Sequence, residues 1–247
     1  MITIQRLSSI AGVGLFLLSM FGSYSFAQET QSKSTTISRW IQHYYDRTKL
    51  FQEENQTFKK VVLVGDSITE GFKLDQYFPG RPFVNRGIGS DGIGLGQTGI
   101  LKRLDNSVFD CNPSHLFILI GINDLPHGHS MDTLAAGYRD ILTQIKAKLP
   151  NVPVSVISVL PCRGRYTYLN PLVLEFNARL KPLAAELNYQ YLDLHTLLKD
   201  DKGELKEEYT GDGLHLKPTA YEIWKTEIDK VLGVSNITST ISKDSTK

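Results

Sequence analysis

The sequence predicts an α/β fold, a three-layer α/β/α sandwich around a mainly parallel five-stranded sheet. Five short apolar runs, rich in β-branched residues and mostly continuous, are spaced along the chain. Such runs mark strands buried on both faces. Amphipathic helical patterns alternate with them, the order that builds βαβ units with helices on both sides of a parallel sheet. The length, 247 residues, suits one domain with a substantial core.

The chain opens differently. An apolar run from Ile10 to Phe21 is followed by small residues, with Ser25 and Ala27 three and one positions before a cut ahead of Gln28. This pattern predicts a signal peptide over residues 1–27, its apolar core too short to span a bilayer comfortably. An uncleaved membrane anchor is the competing reading. The expectation is a secreted or periplasmic protein with no stable membrane anchor after cleavage. Residues 28–37 read as a flexible lead-in, residues 38–233 as the α/β domain, and residues 234–247, rich in Ser, Thr and Lys, as a disordered tail. Basic and acidic residues balance, 27 against 26, so charge makes no case for a nucleic-acid partner or an anionic membrane.

Within the domain, Trp40, Ile41, Tyr44, Tyr45 and Phe51 recur at roughly helical spacing and predict an outer helix. Strands are expected at Val61–Val64, Phe83–Arg86, Leu116–Ile120, Val154–Val159 and Tyr191–Leu194. One helical face runs from Leu134 to Leu149, with Pro150 ending it. A second runs from Val173 to Leu187, and a third through Tyr221, Trp224, Ile228 and Val231 with Gly233 as its stop. Cys111 precedes the third strand and Cys162 follows the fourth. Parallel neighbours would separate them by about 20 Å of strand, beyond the roughly 7 Å between Cα atoms that a disulfide tolerates. Both are read as unpaired.

Function in such a sheet gathers at the carboxyl ends of the strands. The first strand delivers Gly65-Asp66-Ser67, the second the segment NRGIGSDG, and the third GINDLPHGH; GDGLHLKP precedes the last helix. A serine at a strand-to-helix turn commonly caps the helix. It becomes a nucleophile only beside a base. Asp212 and His215, in one loop with two residues between them, can supply a base and the acid that orients it, or merely a cap and a surface histidine. Asn123 can brace its loop, and Gly87 and Gly89 can be turn glycines.

Together and in this order, GDSI, GIND and DGLHL resemble the SGNH hydrolases, also called the GDSL esterase/lipase family. The resemblance covers nearly the whole domain and implies the flavodoxin-like version of the fold. It implies Ser67 as nucleophile, His215 as general base and Asp212 as the orienting acid. It also implies an oxyanion hole from the N–H of Ser67, a backbone N–H after the second strand and the Asn123 side chain. Related proteins carry glycine before the aspartate of the second segment; here Ser90 stands there, with Gly89 as the fallback donor. No cofactor and no metal is required.

Asp193 and His195 imitate an acid–base pair on the last strand, but a structural role is favoured. His127, His129 and Asp124 suggest a metal only on paper. Asn55 and Asn236 begin glycosylation sequons. The expected activity is hydrolysis of short-chain carboxylic esters through an acyl-enzyme, with acetyl groups on carbohydrate as the expected substrate. Lys73, Tyr77, Arg81, Arg163, Arg165, Tyr166 and Tyr168, on loops able to reach the serine, suit a hydroxylated leaving group. Lysophospholipase, thioesterase, glycan acyltransferase and a non-catalytic glycan-binding domain are the alternatives. The expected partner is a small-molecule or glycan ester.

Overall fold

The computed structural model describes residues 39–55 and 60–234. The chain divides into two compact units, Met1–His43 and Tyr44–Lys247. Of the first, only residues 39–43, the opening of a helix, are described. The signal peptide, the lead-in, the tail from residue 235 and the sequon at Asn236 lie outside the described residues. Among those residues no helix is long and apolar enough to cross a membrane.

Five strands form one sheet: β1 (Lys60–Gly65), β2 (Phe83–Gly87), β3 (Pro113–Leu119), β4 (Val154–Ile157) and β5 (Gln190–Leu192). All pair in parallel, in the order β2-β1-β3-β4-β5. Every run read as a strand is a strand, with ends that differ by at most three residues. β1 is buried along its whole length, which is why its sequence lacks polar alternation. The order reverses at β1, between β2 and β3. The crevice outside its carboxyl end is where such sheets place ligands.

Helices cover the sheet in the three-layer α/β/α arrangement. α5 (Met131–Lys148) and α6 (Asn170–Glu186) pack on each other and bury Tyr138, Ile141, Ile145, Val173, Phe176 and Leu180. α8 (Pro218–Val231) buries Trp224 and Ile228. Its end is a Schellman motif: Gly233, at φ 68°, donates to Lys230, and Val234 donates to the Asp229 carbonyl. Glycine enters that left-handed position without a Cβ penalty, as its place in the sequence predicts. A helix over 39–54 (α1) turns Tyr44, Thr48 and Phe51 inward, while Tyr45 is 57 % exposed. Of the residues whose roughly helical spacing predicts this helix, Trp40 and Tyr45 are exposed. Between β1 and β3 the helices are single turns: α2 (Ser67–Glu70), α3 (Leu74–Tyr77) and α4 (Leu104–Ser107).

The last strand stops earlier than its apolar pattern suggests. Asp193 caps α7 (Leu194–Leu198) by accepting the Thr196 N–H at 3.1 Å. Asp193 and His195 therefore do not share a strand face. His195 is buried, and its N–H donates to the Ser158 hydroxyl at 2.7 Å. A short carboxylate that bonds its own next turn favours a helix start over continued strand. Cys111 and Cys162 are buried and free, the first before β3 and the second after β4.

Candidate active site

β1 must end on glycine. A Cβ at Gly65 would overlap the Leu119 carbonyl and the Thr69 hydroxyl, so any other residue would push α2 off the strand. Asp66 then caps α2, accepting the Ile68 N–H at 2.9 Å. Burial, with the Asp91 and Asp124 charges adding to it, raises the Asp66 carboxyl to about 7 against the pull of the Ile68 bond. The cap is thus Asp66, and the hydroxyl of Ser67, the first helical residue, is left to face outward. Because α2 has four residues, its contribution is a local set of N–H groups rather than a long helix dipole.

Ser67 Oγ lies 3.0 Å from His215 Nε2. His215 Nδ1 lies 2.6 Å from Asp212 Oδ2. The other Asp212 oxygen accepts the N–H groups of Leu214 and His215 at 2.9 and 2.8 Å. Partial burial pushes this carboxyl up, but those bonds and the His215 ring outweigh it and hold Asp212 at about 2. An ionised Asp212 only accepts hydrogen bonds, so Nδ1 is the donor toward it, and in the neutral ring this leaves Nε2 to accept from Ser67. The loop is braced from outside: Gly213 N–H donates to Thr210 Oγ1, and the Gly213 carbonyl accepts the Arg163 N–H.

After β2 the chain turns over Ile88–Asp91, closed by the Asp91 N–H on the Ile88 carbonyl at 3.2 Å. Ser90 sits at φ 62°, the left-handed region in which glycine would be at ease. Gly89, the fallback donor, is otherwise engaged: its N–H donates to Glu70 Oε2 at 2.6 Å. Among the described residues no contact takes up the Ser90 N–H. Asn123 Nδ2 donates to the Asp91 carbonyl at 2.9 Å. An amide nitrogen has two hydrogens, so the second remains for a ligand.

Sequence reasoning missed the residues beneath these donors. Arg103 is 1 % exposed and Asp91 wholly buried, with Arg103 Nε 2.8 Å from Asp91 Oδ2. The same guanidinium donates to the Gly65 carbonyl at 3.0 Å, the Arg86 carbonyl at 2.9 Å and the Ser107 hydroxyl at 2.8 Å. One buried cation therefore fixes the ends of β1 and β2 and the turn. In sequence it looks like a surface residue of a mixed segment, ILKRLDNS. Tyr221, read only as an apolar position of α8, donates its hydroxyl to the Ile68 carbonyl at 2.7 Å.

Other sequence candidates lie elsewhere. The Asp124 carboxylate accepts the Ile93 N–H, both oxygens at 3.1 Å. His127 and His129 lie exposed beyond it. Among the described residues no three His, Cys, Asp or Glu side chains are grouped to hold a metal ion. Asn55 donates to the Asn106 carbonyl and accepts from Arg86 and Cys111. Of the loop side chains, Tyr77 is buried with its hydroxyl on the Pro218 carbonyl, Arg81 pairs with Asp229, and Arg163 pairs with Asp200 and Glu204. Those three serve the fold. Arg165 instead lies over the Tyr166 ring, 4.7 Å from its centroid, and Tyr168 is 63 % exposed. The Tyr166 ring approaches Gly213 of the Asp212–His215 loop.

Known proteins share the family and the fold. Residues 63–223 match the model of the GDSL-like lipase/acylhydrolase family. Among solved structures, a Streptococcus pneumoniae protein named as a platelet activating factor superposes with a TM-score of 0.75 at 23 % identity, over 82 % of this chain and 99 % of its own. A GDSL-like lipase from Bacteroides thetaiotaomicron superposes with a TM-score of 0.68 at 22 % identity, over 77 % of this chain and 97 % of its own. At these identities the likeness speaks for the fold. An N-acylneuraminate cytidylyltransferase of Streptococcus agalactiae serotype V is 22 % identical over 86 % of this chain. The chain spans about half the length of that relative, 52 %.

Proposed function

We propose that this chain, which belongs to the GDSL-like lipase/acylhydrolase family and is an SGNH-type ester hydrolase, is a serine esterase exported from the cytoplasm that cleaves short acyl esters, acetyl groups on carbohydrate above all. The observation that carries the mechanism is the Ser67–His215–Asp212 chain of hydrogen bonds, 3.0 and 2.6 Å long. Ser67 Oγ attacks the ester carbonyl while His215 Nε2 takes its proton, and Asp212 stabilises the imidazolium. The oxyanion meets the N–H groups of Ser67 and Ser90 and the second Asn123 hydrogen. Collapse expels the alcohol, which takes its proton from His215. Water then repeats the cycle on the acyl-enzyme, releasing the acid and restoring Ser67.

Two points support the carbohydrate half of this reading. Beside the catalytic loop stands a guanidinium laid over an aromatic ring, Arg165 on Tyr166, a surface suited to a hydroxylated leaving group. The Streptococcus agalactiae relative is named for an acylated sugar acid. Residues 1–27 read as an export signal, and a secreted or periplasmic enzyme would meet its substrate outside the cytoplasm.

The test is a chain-length series of p-nitrophenyl esters beside sugar acetates and acetylated xylan, with Ser67→Ala as the control. Fastest turnover on acetate, with acetate released from the glycans, supports the proposal. A rate that climbs from acetate to decanoate with no acetate released overturns it in favour of a lipid substrate.

A further inference from the structure

The turn that presents Ser90 is held in a backbone conformation its residue disfavours. A non-glycine residue in the left-handed region persists only where its surroundings over-determine it. On the far side of the turn, Arg103 and the Asn123 amide hold Asp91. On the near side, Glu70 Oε2 takes the Gly89 N–H at 2.6 Å. Glu70 closes the helical turn that Ser67 opens. One short turn of helix thus carries the serine at one end and a hook on the turn at the other. Arg47, on α1 and outside the family-matched segment, lies 3.4 Å from Glu70 Oε1 and donates to the Gly87 carbonyl at 3.1 Å.

We propose that Glu70 is a positioning residue: it ties the oxyanion turn to the nucleophile helix, so that the Ser90 N–H keeps one direction relative to Ser67 Oγ, with Arg47 as its brace. The inference rests on the reading of Ser90 as an oxyanion donor. It also gives the Gly89 N–H a definite task. With that group bound to a carboxylate, the neighbouring N–H is the one the turn presents.

The consequence is specific. Without the hook, the turn relaxes in the direction that relieves Ser90, and the donor swings away. Glu70→Ala should lower kcat on p-nitrophenyl acetate by about 10–100-fold, less than outright loss of a donor, with KM changed by less than about 3-fold. Glu70→Gln keeps an acceptor oxygen and should recover most of that loss. Arg47→Gln should cost about 2–5-fold, since the hook itself remains. The diagnostic variant is Ser90→Gly. A glycine has no strain to relieve, so the Ser90→Gly enzyme is the reference against which the double variant is read. In the Glu70→Ala background the substitution should restore kcat about 3–10-fold.

Each variant is assayed with its thermal melt, so that a fall in kcat with an unchanged melt is not loss of fold. A Glu70→Ala enzyme with wild-type kcat overturns the proposal while leaving the serine mechanism standing, provided Ser67→Ala is inactive. A Ser90→Gly substitution that fails to rescue Glu70→Ala also overturns it. If Ser67→Ala itself keeps wild-type activity, the underlying reading falls and this one with it.

Discussion

The two halves of the candidate site are held by opposite means. The nucleophile and oxyanion side stands on buried charge: Asp66, Asp91 and Arg103 are each at most 2 % exposed. Beside local bonds, Arg103 joins it to residues twelve to thirty-eight positions away. The acid–base side is a surface loop, with the His215 and Asp212 side chains 49 % and 41 % exposed. It is held largely by bonds within Thr210–His215, two or three residues apart, with the Arg163 N–H on the Gly213 carbonyl as a brace from outside. In the proposed mechanism, charge would be met by donors fixed from the core, and the proton would be exchanged with leaving alcohol and water on an open loop.

The sharpest break in this comparison is chemical. Ser67→Ala and His215→Ala should each reduce hydrolysis of an activated ester by at least about 10³-fold, and the double variant should be no worse, because the two act as a unit. Urea unfolding should barely change. Activity that survives in either single variant would remove that residue from the mechanism.

Substitutions beneath each half should then separate stability from turnover. Asp212→Asn removes the acceptor that fixes the His215 tautomer and should lower kcat by about 10⁴-fold. On this exposed loop it should change stability by less than about 1 kcal/mol. Arg103→Met leaves the Asp91 charge buried without its partner and should cost roughly 3–5 kcal/mol. Equal losses of stability in the two variants would erase the distinction.

The smallest effect is a slope with pH. Burial raises the Asp66 and Asp124 carboxyls to about 7. In the unfolded chain they titrate near 4. Between about pH 4 and 7 the folded state keeps protons that the unfolded state has lost, so their contribution to stability falls as pH rises. Asp212, held at about 2, acts in the opposite sense, with stability present above pH 4 and lost toward pH 2. Asparagine caps a helix about as well as aspartate. Asp66→Asn should therefore flatten the decline in urea midpoint between pH 5 and pH 8; a decline as steep as wild type would mean that Asp66 does not titrate there.

The same contrast explains what could be read in the sequence. GDSI and GIND were legible because each is a contiguous segment at a strand end, and DGLH because it is contiguous in the loop before α8. The five strands were legible because burial on both faces leaves continuous apolar runs. The Glu70–Gly89 and Arg103–Asp91 contacts join residues nineteen and twelve positions apart, with no period or motif between them. They follow from the parallel pairing of β1 with β2, which brings Gly65 beside Gly87. Arg81, Arg163 and Tyr77 looked like ligand contacts because a side chain's partner is a tertiary fact. The end of β5 was misplaced because Leu194 is buried in either state, as strand or as the first residue of α7.

The Tyr221 hydroxyl on the Ile68 carbonyl gives the order of assembly a meaning. It clips the last helix to the first turn after β1, across 153 residues of chain. Contacts of such separation form late, after closer pairings have reduced the entropy of closing the loop. A chain cut after His215 would keep Ser67, Asn123, Asp212 and His215, yet would lack the clip and the helix that anchors their loop. If docking of that helix comes last, recovery of hydrolysis during refolding should lag behind collapse of the sheet.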